Sequence, residues 1–153
     1  MINQYSIAIP DNLLDKIIEL KSISKPNLRS NVRGWQSEQY TNFNDIPWAE
    51  ELFNLCIATT NLKNSLEHIW ININSPGSYN RWHQHPNTDI VCVLYIQVPK
   101  NSGNIELRGK VNASITPHSG LLLIFPGDTE HQVTVNNSKE DRISLAFNLG
   151  PLT

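Results

Sequence analysis

The sequence predicts one mainly β domain, a sandwich or barrel with helices ahead of it, and three observations carry that expectation. Over residues 66–148 apolar and polar residues alternate with a period of two. Turn-forming clusters (SPG, PKNSG, PHSG, FPGD and NNSKED) cut this stretch into short segments. Two segments before it carry apolar residues at helical spacing instead. About seven short strands at such intervals pair as a sandwich or barrel and not as a parallel α/β sheet.

The first helix is expected to be capped by Asp11 and to run to about Ser24, with Leu13, Leu14, Ile17 and Ile18 on one side and the stem of Lys21 continuing the row. In the second, Asp45 caps, Pro47 takes the first turn, and Trp48, Leu52, Phe53, Cys56 and Ile57 form the apolar stripe, ending near Asn61. Both stripes are expected to pack on the body of the domain and to bind nothing. The first β segment, HIWININ, puts Ile69, Ile71 and Ile73 on one face and Trp70, Asn72 and Asn74 on the other. Further strands are expected over 78–85, 89–98, 104–108, 120–125, 130–135 and 142–148. No internal repeat or linker interrupts the chain.

At 153 residues the chain fits a single domain, 1–153. Its 12 Lys and Arg against 14 Asp and Glu create no field that would draw it to nucleic acid or an anionic membrane. No apolar run approaches the roughly 20 residues of a membrane span, and the polar start MINQYSIAIPDN lacks the features of a signal peptide, so the expected location is cytoplasmic. Cys56 and Cys92 sit in apolar surroundings without a second thiol at metal or redox spacing, which predicts buried, reduced thiols.

Three of the five histidines stand where a metal site would use them. His83 and His85 are two apart, so on a strand both project from one face and can converge on one ion. His131 follows the FPGD turn at the start of another strand and is the candidate third ligand. Three imidazoles, or two and a carboxylate, with open positions for small ligands suit non-haem iron(II). Arg142 and Ser144 in RIS share a face of the last strand, where a guanidinium fork and a hydroxyl can hold a carboxylate. His68 and His118 have no partner at chelating spacing and read as structural or solvated residues.

The segments WININSPGSYNRWHQHP, VLYIQVP, GLLLIFPGDTEH and RISLAFN stand in this order from Trp70 to Asn148. Together they resemble the small 2-oxoglutarate- and Fe(II)-dependent oxygenases, whose pattern runs HxHP, VP, FP, H, RIS and FN; GWQS at residues 34–37 resembles a motif upstream of that domain. The resemblance implies a double-stranded β-helix, a jelly-roll or cupin-like fold, over 66–150, with 1–65 as helical and irregular support. It implies Fe(II) on His83, His85 and His131, with 2-oxoglutarate and O2 as co-substrates. Arg142 and Ser144 would hold the distal carboxylate of 2-oxoglutarate, with Tyr95, Asn72 and Asn74 as further contacts. The implied reaction is oxidative decarboxylation of 2-oxoglutarate to succinate coupled to hydroxylation of an unidentified substrate. His85 stands where the commoner triad has Asp or Glu, and Asp89 is a carboxylate that could take its place. DIVCVLY also departs from the serine and glycine usual in the strand after the metal pair.

A second reading keeps the fold and changes the chemistry: a cupin-like isomerase holding zinc or manganese, or a protein that binds a small molecule without turnover. Such a cupin should carry a glutamate a few residues after HxH, and Glu106 is too far along. A β-sandwich without metal requires the three histidines and RIS to coincide by accident.

Overall fold

A computed structural model describes residues 1–27 and 29–152. In chain order its elements are β1 (Asn3–Ser6), α1 (Leu13–Ile23), β2 (Asn31–Val32), β3 (Trp35–Gln36), α2 (Pro47–Thr60), β4 (Asn64–Asn74), β5 (Tyr79–His83), β6 (Ile90–Gln97), β7 (Ile105–Arg108), β8 (Ala113–Ile115), β9 (Leu121–Pro126), β10 (Glu130–Val133) and β11 (Arg142–Leu152). All pairings are antiparallel, and they form two sheets, ordered β1-β9-β6-β11-β4-β3 and β2-β5-β10-β7-β8. This is the expected jelly roll, the double-stranded β-helix.

The larger sheet separates two interiors. On its outer face Ile69, Ile71, Ile73, Leu94, Leu145 and Phe147 join buried residues of both helices in the main core. Burying each such side chain contributes about 1.5–3 kcal/mol, which is why these short amphipathic helices are held. Between the sheets a second cluster holds Val91, Tyr95, Ile105, Leu107, Leu123 and Phe125. Cys56 and Cys92 are buried free thiols, and burial pushes the Cys56 thiol up to about 12 and Cys92 higher still. Among the described residues no helix is long and apolar enough to cross a membrane.

Both helices lie where their periodicity puts them, but their starts differ from expectation. Because α1 begins at Leu13, the N-cap position falls on Asn12 and not on Asp11, and no side chain caps it. Pro47 opens α2, so the N-cap falls on Ile46, which is wholly buried, and Asp45 stands one position too early to reach the first turn. The buried row of α1 is Leu13, Ile17 and Leu20, while Ile18 is 63% exposed on the far side. Leu52 and Cys56 are buried in α2, with Trp48, Phe53 and Ile57 packed at the margin.

Four strands were not legible in the sequence: β1, β2, β3 and β8. Each occupies one of the four sheet edges. An edge strand of two to four residues is defined by its partner's unpaired backbone groups, and it is too short to show an alternating pattern of its own.

Candidate active site

The two sheets open into a cleft of about 570 Å³. Its floor is the inner face of β4 and β11. Along β11 alternation sends Arg142, Ser144, Ala146 and Asn148 inward, and the pairing of Arg142 with Asn74 and of Ser144 with Asn72 and Tyr95 aligns the neighbouring strands in register. The facing wall is β5 and β10, where His83 and His131 sit directly opposite each other.

His85 lies beyond the end of β5, so strand alternation does not place it as the sequence suggested. The FPGD turn does. The His85 N–H donates to the Gly127 carbonyl at 3.0 Å, and the Gly127 N–H donates to the Asp89 carbonyl at 3.1 Å. A side chain at Gly127 would collide with the Thr88 carbonyl, so only glycine allows this close approach of the two loops. Trp70 stacks on the His85 ring at 5.7 Å.

The three rings converge. One ligand nitrogen from each of His83, His85 and His131 lies within 4.8 Å of the others. His83 Nδ1 is 2.6 Å from the Arg81 carbonyl, and His131 Nδ1 is 3.0 Å from that of Thr129. A carbonyl only accepts, so each Nδ1 carries the proton and each Nε2 keeps its lone pair for the centre. His85 Nε2 is 3.3 Å from His131 Nε2, and its Nδ1 is 3.3 Å from the Asn148 Nδ2. The surroundings favour the neutral form of all three imidazoles. Burial lowers His83; burial, then the His83 and Arg29 charges, lower His85 to about 4; burial and His83 lower His131 to about 3.

Arg142 is the other unusual group. Only 2% exposed, it has Nε and Nη1 buried without a hydrogen-bond partner, beside the Tyr95 ring at 5.9 Å. Burial lowers its pKa, although a guanidinium still stays charged. Burial likewise raises the Tyr95 phenol to about 12. The start of β11 is fixed by Asn136, 1% exposed within the polar NNSKED turn, which donates to the carbonyls of Asn74 and Glu140.

Ser144, Asn72 and Asn74 also line the cleft, and the Asn74 amide donates to Asn80 Oδ1 at 2.8 Å. Asp89 points elsewhere, into a separate surface depression with Asp128 and Lys110. His118 is exposed and outside the cleft, whereas His68 lines it. Sequence reasoning gave no role to Asn148, Gln36, Arg29 or Arg81, all of which reach the cleft. Gln36 stands in GWQS and Asn148 in the closing FN, and those two motifs were the available signal.

A family model described as "Putative 2OG-Fe(II) oxygenase" matches residues 68–115 and 109–148, more than half of the chain. The chain belongs to the 2OG-Fe(II) oxygenases. This enzyme therefore uses Fe(II), 2-oxoglutarate and O2. No curated protein matches its sequence. Among solved structures it is similar to an oxidoreductase of the 2OG-Fe(II) oxygenase family from Burkholderia pseudomallei, with a TM-score of 0.71 and 12% identity over 97% of this chain and 84% of that one. A prolyl hydroxylase from Trichoplax adhaerens, in complex with a hypoxia inducible factor peptide fragment, gives 0.75 and 10% over 97% and 83%. The viral collagen prolyl hydroxylase of Paramecium Bursaria Chlorella virus-1 gives 0.64 and 15% over 98% and 96%. At these identities the likeness speaks for the fold.

The donor set fits the family's cofactor and co-substrate. Neutral imidazoles are the form that binds a metal, and a buried guanidinium with unmet donors is matched by a carboxylate. Asn148 needs one adjustment, because its Oδ1 is buried without a partner while Nδ2 faces His85 Nδ1. Turning the amide end for end gives the His85 Nδ1–H an acceptor and frees Nε2 for the metal; the two ends have the same shape, so bonding decides between them.

Proposed function

We propose that the oxygenase holds Fe(II) on His83, His85 and His131, binds the distal carboxylate of 2-oxoglutarate on Arg142, and hydroxylates a substrate not yet identified. The observation that carries this reading is the pairing, in one cleft, of three converging neutral imidazoles with a buried arginine whose donors are unmet. Bound iron supplies the open coordination positions at which 2-oxoglutarate and O2 react.

The chain's own residues do the rest. The Arg81 and Thr129 carbonyls fix His83 and His131 with Nε2 toward the centre, and Asn148 does the same for His85. Arg142 orients 2-oxoglutarate by its far end, with the Ser144 hydroxyl beside it and Tyr95 closing the pocket; Asn72 is a further contact. Asn74, which lines the cleft and donates to Asn80, is another such contact. No carboxylate lines the cleft among the described residues, which supports His85 over Asp89 as third ligand. The same reading takes 1–153 as one domain, with 66–150 as its catalytic core.

The test is anaerobic Fe(II) titration followed by 2-oxoglutarate, reading the visible charge-transfer band of the chelate. Wild type should bind one iron and develop the band, and His83→Ala or His131→Ala should lose stoichiometric iron. Normal iron affinity in both variants would sink the assignment.

A further inference from the structure

The chain carries slightly more acidic than basic residues, yet its cleft is lined by three arginines and, among the described residues, by no Asp or Glu. Arg142 is accounted for by 2-oxoglutarate. Arg29 and Arg81 are not. Both are exposed at the cleft wall, and among the described residues neither is ion-paired, unlike Arg108, which pairs with Glu130. Their backbones are fixed: the Arg29 N–H donates to Asn31 Oδ1 at 3.1 Å, the Arg81 N–H to the Ser30 carbonyl at 2.9 Å, and Asn31 pairs with Asn80 between β2 and β5. The Arg81 carbonyl is also the acceptor that orients His83.

Charge balance makes these two arginines informative. Ferrous iron on three neutral histidines keeps both its positive charges, where a triad containing a carboxylate would keep one. Fe(II) and Arg142 together carry three positive charges, of which the 2-oxoglutarate dianion offsets two, so nothing bound there is left to compensate Arg29 and Arg81. A cleft with that field attracts anions and repels cations. Its uncharged lining offers hydrogen bonds as well: Gln36, 3% exposed, and Asn72 both face the cleft, and their side chains have no hydrogen-bond partner among the described residues. About 570 Å³, shared with 2-oxoglutarate, leaves room for a substrate of small-molecule size.

We propose that the substrate is a small anion whose carboxylate or phosphate is received by Arg29 and Arg81 at the wall of the cleft. This rests on the metal and 2-oxoglutarate assignment above. Gln36 and Asn72 then read its uncharged part.

The experiment begins with the anaerobic enzyme loaded with Fe(II) and 2-oxoglutarate, the chelate band confirming the parent assignment. Acetate, methyl phosphate and uncharged methyl acetate are then titrated in, following backbone amide and arginine side-chain resonances of a Zn(II)-loaded parallel sample and the chelate band of the iron enzyme. Expected is saturable binding of acetate or methyl phosphate, weakened by salt, with methyl acetate inert; the tighter anion distinguishes a carboxylate from a phosphate substrate. Arg29→Gln and Arg81→Gln should each weaken anion binding at least about tenfold, as expected for one charged hydrogen bond. Affinity for 2-oxoglutarate should stay within about twofold in both, since these exposed side chains leave Arg142 in place. Three results overturn the proposal: neither anion binds, methyl acetate binds equally, or the double variant keeps the anion affinity. A fall in 2-oxoglutarate affinity in these variants also overturns it, by assigning the arginines to the co-substrate. Failure of the chelate to form is a different result, which removes the parent assignment and this one with it.

Discussion

Along β11 every residue from Arg142 to Gly150 is buried, yet its two faces do opposite things. Ile143, Leu145, Phe147 and Leu149 face the helices in the main core. Arg142, Ser144, Ala146 and Asn148 face the cleft, where two of the four leave buried polar atoms without partners. An unpartnered buried polar group costs about 1–3 kcal/mol, so the inner face weakens the apo fold while the outer face holds it. The comparison teaches that burial by itself does not separate core from site. What separates them is whether the buried groups already have partners or still need them.

The largest expected effect is on the outer face. Phe147→Ala removes a ring that meets Phe53 edge-on at 5.2 Å and should cost about 3–5 kcal/mol, lowering the melting temperature by roughly 10 °C. Below that temperature iron and 2-oxoglutarate affinities should stay near wild type, checked by thermal denaturation beside the anaerobic titration. A matching loss of 2-oxoglutarate affinity would show that the two faces are not separable.

Arg142 should give the reverse pattern. Arg142→Lys keeps the charge but removes the two-pronged fork, so 2-oxoglutarate binding should weaken about tenfold to a hundredfold while iron affinity holds. Ser144→Ala, which loses a neutral hydroxyl, should cost less than tenfold. Arg142→Met should leave stability unchanged or raise it, because it removes an unpaired buried charge from the apo protein. Marked destabilisation by Arg142→Met would mean that the arginine belongs to the scaffold.

Asn148→Leu sharpens the comparison at the metal. It keeps the volume and removes the amide that meets His85, so iron affinity should fall about tenfold to a hundredfold, with Asn148→Asp restoring much of it. Isothermal titration with Zn(II) reads this without turnover, and wild-type affinity in the leucine variant would deny Asn148 its positioning role.

A smaller effect is expected on acidification of the metal-free protein. The folded pKa values of His83, His85 and His131 lie below the ordinary 6.5, so below that pH the unfolded chain binds more protons than the native one. Stability should therefore be full above about 6.5 and fall progressively toward pH 4 and 3, where His85 and His131 titrate. Denaturant midpoints across this range check it. His131→Phe should flatten the profile, and an unchanged slope would show that the inner face is not titrating as described.

The sequence alone determined the interior strands, the helices and the division of β4 and β11 into two faces, because alternation with period two and spacing near 3.6 follow directly from backbone geometry. It also marked His83, His85, His131, Arg142 and Ser144, whose residue types are unusual at those spacings. Only the tertiary structure decided the rest. The four edge strands take their form from the partner strand, and neither Asp11 nor Asp45 caps a helix because each helix begins later than its acid can reach. His85 is delivered to its neighbours by the backbone of Gly127, 42 residues on in the chain, and not by the strand that carries His83. The meeting of Asn148 with His85 and the gathering of Arg29, Arg81 and Gln36 in one cleft depend on contacts between distant segments. Such contacts leave no period in a sequence, since each is set by where two folded surfaces happen to face.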